Sequence, residues 1–285
     1  MARKYEGFMK GVFFLSAIVS IVALILIIVF MFAGGVPFML EYGLGDFLLG
    51  QKWTPSNTPA SFGILPMILG SIFVTIGAVV IGVPIGVLTS IFMAEFCPPK
   101  LYKWLKPAVN LMAAIPSVVY GFFALQLIVP IMRNFVGGTG MNMLTAMILL
   151  GIMILPTVIG LSESALRAVP RSYYNGGVAL GSTHERTVMA VLVPAAKSGI
   201  ISSVILGIGR AIGETMAVVL IAGNQPIMPR GLTFGVRTLT TNIVLEMAYA
   251  AGEHREALIA TAVVLFAFIL IINSIFLYVK NKEAK

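Results

Sequence analysis

Residues 198–223 read SGIISSVILGIGRAIGETMAVVLIAG, an apolar run interrupted by one cation, Arg210, and one carboxylate, Glu214. As a helix this run is long enough to cross a bilayer core about 30 Å thick. Arg210 then lies roughly 18 Å along the axis, near mid-depth. A charge at that depth is costly, so it marks a candidate functional site. Four apart on one helix, Arg210 and Glu214 share a face and can pair. Two readings stand side by side: a pair that handles an anion, or a structural ion pair that locks two helices. The next residue, Thr215, is either a further hydrogen-bond donor or a hydroxyl that bonds back to its own helix.

The whole chain has the same character. Of its 285 residues, 59% are hydrophobic and 11% charged, and the mean hydropathy is +1.00. That excludes a soluble domain and predicts an all-α polytopic membrane protein. The apolar runs are continuous rather than short and alternating, which excludes a transmembrane barrel. A net charge of +8 reads as loops facing anionic membrane lipid rather than as a nucleic-acid surface. Cys97 is the single cysteine, so no internal disulfide or cysteine metal cluster forms. His184 and His254 fall in expected loops, so neither a metal nor another cofactor is expected. A base beside a nucleophile inside the membrane is also missing, which argues against an intramembrane enzyme. Met216 and the other methionines are most simply packing residues.

Six runs qualify as transmembrane helices: 12–33, 64–94, 107–132, 141–162, 198–223 and 257–279. The second is overlong, and Pro66 and Pro84 predict an interfacial entry and a kink. Residues 1–11 form a tail, and 12–285 form a single membrane domain. Six spans put both termini on one side. That side holds the tails and the loops around 100–106 and 163–197. Of the 19 Lys and Arg residues, only Lys52, Arg133, Arg230, Arg237 and Arg255 fall on the other side, in loops 34–63, 133–140 and 224–256. Apart from Arg210, the rest lie on the first side, which is therefore cytoplasmic.

Lys100, Tyr102, Lys103, Trp104 and Lys106 read as an interfacial anchor, with a soluble-partner contact as the alternative. Glycine and proline recur within the spans, at Gly82, Pro84, Pro116, Gly151, Pro156 and Gly207 among others, which suits close helix packing and bending. On the outer side, Arg237 and Glu246 are candidate contacts for a partner protein, against a plain solvated face. Leu239, Ile243, Met247 and Ala250 share a helical side, so 237–250 reads as a helix along the outer membrane surface.

Loop 163–197 carries its own pair of short helices. Pro170 suits a first helical turn, and Gly181 suits a helix C-terminus. Ser182-Thr183-His184-Glu185 matches a capping box that starts a second helix, and Pro194 marks where that helix gives way. A loop with this much internal structure reads as a docking element.

Here the sequence resembles a family. Asn175-Gly-Gly-Val-Ala-Leu-Gly181, nine residues, then Val191-Leu-Val-Pro194 is similar to the loop of ABC importer permeases. There the pattern is Glu-Ala-Ala, three residues, Gly, nine residues, then Ile-x-Leu-Pro. Gly181 and Pro194 match in spacing; Asn175, Gly176 and Gly177 stand where the family has Glu-Ala-Ala. Arg210-Ala-Ile-Gly-Glu-Thr-Met-Ala217, Arg237-Thr-Leu-Thr-Thr-Asn-Ile-Val-Leu-Glu-Met247 and Phe62-Gly-Ile-Leu-Pro66 resemble PstC-type subunits of phosphate-specific transport systems. The resemblance spans about residues 47–278.

The resemblance implies a type I ABC importer permease-like core with a cytoplasmic coupling helix, in a prokaryotic inner membrane. It implies four kinds of partner: a second, PstA-type permease, two ATP-binding subunits, an extracytoplasmic phosphate-binding protein, and inorganic phosphate as cargo. Asn175, Gly176, Gly177, Ala179, Leu180, Gly181 and Pro194 would then couple to the ATPase, and Arg210, Glu214 and Thr215 would line the substrate pathway. The chain has no Gly-x-x-x-x-Gly-Lys-Ser/Thr loop of its own, so ATP hydrolysis is expected on a partner. The competing class is a passive anion channel or ion-coupled carrier, with Arg210 and Glu214 as filter or proton relay. A structured cytoplasmic helix pair argues against it.

Overall fold

The computed structural model describes residues 2–283, with side chains for 8–275, 277 and 278. Arg3, Lys4, Lys280, Lys282 and Lys285, counted above for sidedness, have side chains outside the described residues.

The chain begins with α1 (Ala2–Tyr42), a short α2 (Leu44–Leu49) and a hairpin of β1 (Trp53–Thr54) with β2 (Ser61–Phe62). Helix α3 (Leu65–Ile91) runs on into a π-helical turn, Phe92–Phe96. Next come α4 (Pro99–Ala114), α5 (Ser117–Gln126), α6 (Ile128–Val136) and α7 (Met143–Arg167). Then follow α8 (Arg171–Ala179), α9 (His184–Thr187), a second π turn (Val188–Leu192) and α10 (Val193–Ala195). The chain ends with α11 (Lys197–Gly213), α12 (Met216–Ile221), α13 (Leu239–Glu246) and α14 (Glu253–Glu283).

Four stretches are long and apolar enough to cross a membrane unbroken: Phe8–Tyr42, Leu65–Phe96, Met143–Arg167 and Glu253–Ile275. Two bent pairs pass the same test together, which gives up to six among the described residues if each pair is one span: α4 with α5, bent by 99°, and His184–Ala195 with α11, bent by 68°. The chain is thus a multi-pass, helical membrane protein. The exposed side chains of α1, such as Phe13, Phe14 and Phe30, are apolar, as a helix facing hydrocarbon requires.

The third run, expected as one helix over 107–132, is three helices. The first ends where Ile115 turns extended (φ −68°, ψ 127°). Proline disfavours a helical conformation at the residue before it, and Pro116 follows. Tyr120 closes the corner by donating its hydroxyl to the Met112 carbonyl at 2.8 Å.

Helices α3 and α7 form the centre and run parallel. Gly82 packs on α7 so closely that a Cβ there would stand 2.5 Å from the Gly151 carbonyl oxygen. Close backbone approach maximises dispersion contacts where lipid supplies no hydrophobic drive between helices. Helix α11 lies antiparallel on α7, with Gly207 against Val158 and the Ser162 and Ser203 hydroxyls 2.6 Å apart. Helix α1 packs antiparallel on α14, with Phe32 edge-on to Phe266. The β-hairpin and α13 gather at the Leu65 end of α3. The α8–α10 segment gathers at its Phe96 end.

Candidate functional site

The Arg210 helix is not continuous through the run 198–223. Helix α11 stops at Gly213, Glu214 is extended (φ −68°, ψ 128°) and α12 restarts at Met216. Unwound backbone at membrane depth survives only where protein groups satisfy it. Here they do. Thr240 of α13 donates to the Glu214 carbonyl at 3.1 Å, and Thr215 donates its hydroxyl to the Gly213 carbonyl at 3.1 Å. The Glu214 carboxylate accepts from the Ala217 N–H at 3.1 Å, taking up one of the orphan donors that open α12.

This arrangement corrects the expected i, i+4 pair. The break turns Glu214 toward α12, and among the described residues no ion pair joins it to Arg210. Arg210 is half-buried and its Nη1 donates to Thr157 Oγ1 of α7 at 3.4 Å, a long bond. The guanidinium thus lies inside the bundle with no carboxylate paired to it among the described residues. Thr215 takes the local role: its hydroxyl serves its own backbone.

The loop expected to dock a partner, at the other end, is built as an exposed ledge. Helix α8 buries none of its residues. Pro170 stands as its N-cap, one residue before the first turn expected for it. Gly181 closes the helix with φ +82°, a left-handed conformation that costs glycine little. The cap of α9 is Thr183 rather than Ser182: Thr183 Oγ1 accepts from the Arg186 N–H. Asn175, Gly176, Ala179 and Pro194 are exposed, and Leu180 is 91% exposed. Gly177 faces inward, where a Cβ would stand 2.7 Å from Thr187 Cγ2; glycine there lets α8 lie against α9. Tyr173, Val178 and Met189 are also exposed on this segment, so Leu180 is one of several bare apolar side chains there.

Residues 86–284 match the family described as "Binding-protein-dependent transport system inner membrane component". The chain belongs to that family. It is 38% identical to the "Probable ABC transporter permease protein YqgH" of Bacillus subtilis, over 90% of this chain and 86% of that protein. It is 30% identical to the "Phosphate transport system permease protein PstC" of Mesorhizobium japonicum, over 92% of this chain and 86% of that one. It is also 30% identical to the "Probable phosphate transport system permease protein PstC" of Methanocaldococcus jannaschii, over 98% and 94%. These relatives bear out the PstC-type resemblance. In fold, the chain matches the MetNI methionine ABC transporter in an inward-facing crystal form (TM-score 0.64, 18% identity, 78% of this chain and 96% of that one). An amino acid ABC transporter with histidines gives a TM-score of 0.56 at 17% identity, over 77% and 93%. The type I importer permease fold follows.

At the α13 end, this permease holds a buried charge cluster that the sequence reading missed. Arg237 and Glu246, expected on an open outer face, turn inward and pair with each other. Glu246 also accepts from Trp53 Nε1 and contacts His254 Nε2, each at 2.8 Å. Arg237 further donates to the Asn224 carbonyl and to Asn242 Oδ1, each at 3.0 Å. Burying charge requires this many partners. Helix α13 is correspondingly packed within the protein, with Leu239, Thr241 and Asn242 fully buried, rather than laid along the membrane surface. Thr157 and Thr240 also escaped the sequence reading, since a lone threonine in an apolar run carries no local signal.

Proposed function

We propose that this chain is the transmembrane permease subunit of an ATP-driven importer that takes up inorganic phosphate by alternating access. The observation that carries the reading is Arg210, a cation held inside the bundle beside a broken helix with no carboxylate paired to it among the described residues. Similarity to the PstC proteins supplies the substrate.

Phosphate enters as a mono- or dianion and needs positive potential within the pathway. The planar Arg210 fork suits two phosphate oxygens at once, and Thr157 steadies one side of it. Glu214 keeps the break in shape by capping α12. Its negative charge also limits how tightly the anion is held, so release stays fast. Alternating access moves these groups between the two faces, and no covalent chemistry occurs in the chain. Asn175, Gly176, Gly177, Ala179, Leu180, Gly181 and Pro194 form the element that docks the ATPase. The partners are a PstA-type permease, two ATP-binding subunits and an extracytoplasmic phosphate-binding protein. Both termini are cytoplasmic, in a prokaryotic inner membrane.

The test is phosphate uptake by the reconstituted complex carrying Arg210→Gln. The loss of two charge-assisted hydrogen bonds predicts a fall in uptake of about 100-fold. Uptake at the wild-type rate overturns the role of Arg210.

A further inference from the structure

Glu163 is a buried carboxylate, 1% exposed, that the transport reading above does not use. It sits near the Phe96 end of α3, on α7. Three donors from two helices converge on it. From α4, Lys106 Nζ donates at 2.7 Å and the Tyr102 hydroxyl at 2.6 Å. From its own helix, Arg167 Nε donates at 2.9 Å. The Arg167 guanidinium lies 4.7 Å from the centre of the Tyr102 ring and donates through Nη2 to the Met93 carbonyl in the first π turn, at 3.0 Å.

That π turn is also where the docking loop is fastened. Arg171 of α8 pairs with Glu95 at 3.2 Å. His184 of α9 contacts the Glu95 carbonyl at 3.2 Å and the Tyr174 hydroxyl of α8 at 3.0 Å. On the other side of Glu163, α4 leads through the corner at Pro116 into α5. Gly121 of α5 lies so near α12 that a Cβ would stand 2.9 Å from Ala217 Cα, and Ala217 is the residue whose N–H Glu214 caps. A continuous set of polar ties and close contacts therefore runs from the docking ledge to the broken helix beside Arg210.

A helix seam could be held by apolar packing alone, and a buried ion cluster there is weak evidence for stability. What a cluster adds is intolerance of sliding: any movement of α4 away from α7 strips a buried carboxylate of two of its three donors, Lys106 and Tyr102, and leaves it only Arg167 of its own helix. We infer that Glu163 is a positioning residue that obliges α4 to follow the docking ledge, so that nucleotide-driven movement of α8 reaches the α5–α12 pair. The inference rests on the importer reading.

The test uses the complete complex of this chain, its second permease, the ATPase subunits and the binding protein in proteoliposomes. It has two readouts. One is phosphate taken up per ATP hydrolysed. The other is the distance between spin labels at Phe123→Cys on α5 and Leu270→Cys on α14, in a Cys97→Ser background, with and without ATP and vanadate. With Glu163→Gln, hydrolysis should stay within about twofold while uptake per ATP falls about tenfold, a usual size for coupling between sites. The label distance should stop responding to nucleotide. Lys106→Met should reproduce both effects, and Lys106→Arg should restore them. Lys106 is 30% exposed, so its variants read the tie even where Glu163→Gln does not assemble. Wild-type uptake per ATP with a responsive label distance overturns the inference. So does a proportional fall of hydrolysis and uptake with the distance response intact, which marks a merely structural residue. A wild-type complex whose α5 responds to nucleotide but which carries no phosphate refutes the importer reading instead, and the label distance alone then decides the role of Glu163.

Discussion

Glu246 and Arg210 are both charged groups inside a membrane protein, and the structure treats them oppositely. Glu246 is enclosed by Trp53, Arg237 and His254, while among the described residues Arg210 has one long bond, to Thr157. The proposed roles follow that contrast: the saturated group holds structure, and the one with spare capacity is left for the anion. Glu246→Leu leaves Arg237 buried without its partner and should destabilise the fold by about 3–5 kcal/mol. In a Trp104→Phe background Trp53 is the remaining tryptophan of the two. Its emission should shift red, and thermal unfolding in detergent should begin at a lower temperature. Unchanged emission and melting contradict the enclosed cluster. The position of Arg210 was legible, because a charge inside a long apolar run stands out without any alignment. Its partner was not, because Thr157 lies 53 residues away on a helix whose packing no local pattern encodes. Of the partners of Glu246, Trp53 was hidden for the same reason, 193 residues distant, whereas Arg237 and His254 lie only nine and eight residues away.

Among the elements, the helical ledge α8–α10 was the most readable, because Gly181 and Pro194 act on their own backbone. The cap slipped by one residue, since Ser182 and Thr183 are chemically alike and only the geometry after Gly181 chooses between them. The break after Gly213 was hidden, because a mid-run Glu reads equally as part of a helix face or as a cap. Helix α13 was found by its periodicity but misplaced: the same apolar side suits a bilayer surface or a protein interior. Leu180 carries the prediction at this scale. A bare leucine that becomes buried on docking contributes about 1.5–3 kcal/mol. Leu180→Ala should therefore weaken ATPase binding about tenfold or more, measured by titrating the ATPase subunit onto the permease pair. Unchanged affinity would mean that the ledge is not the docking surface.

At the scale of the molecule, the multi-pass helical plan was legible because a bilayer sets a minimum apolar length that few soluble helices meet. The bends were partly so: Pro116 and Pro194 mark the two sites, the latter two residues before Ala196, but not the angles of 99° and 68°. The orientation makes a direct prediction. In a Cys97→Ser background, Ser56→Cys in the hairpin loop should react with an impermeant maleimide on intact cells, and Leu180→Cys should react only after permeabilisation. The reverse pattern contradicts the charge-based sidedness. One measurement tests the whole account most directly: uptake of labelled phosphate into vesicles that hold this chain with its second permease, ATPase and binding protein, with sulfate as competitor. The account predicts uptake that requires ATP and is unaffected by sulfate. Phosphate flux without ATP would contradict the importer reading, and ATP-driven uptake blocked by sulfate would contradict the choice of phosphate.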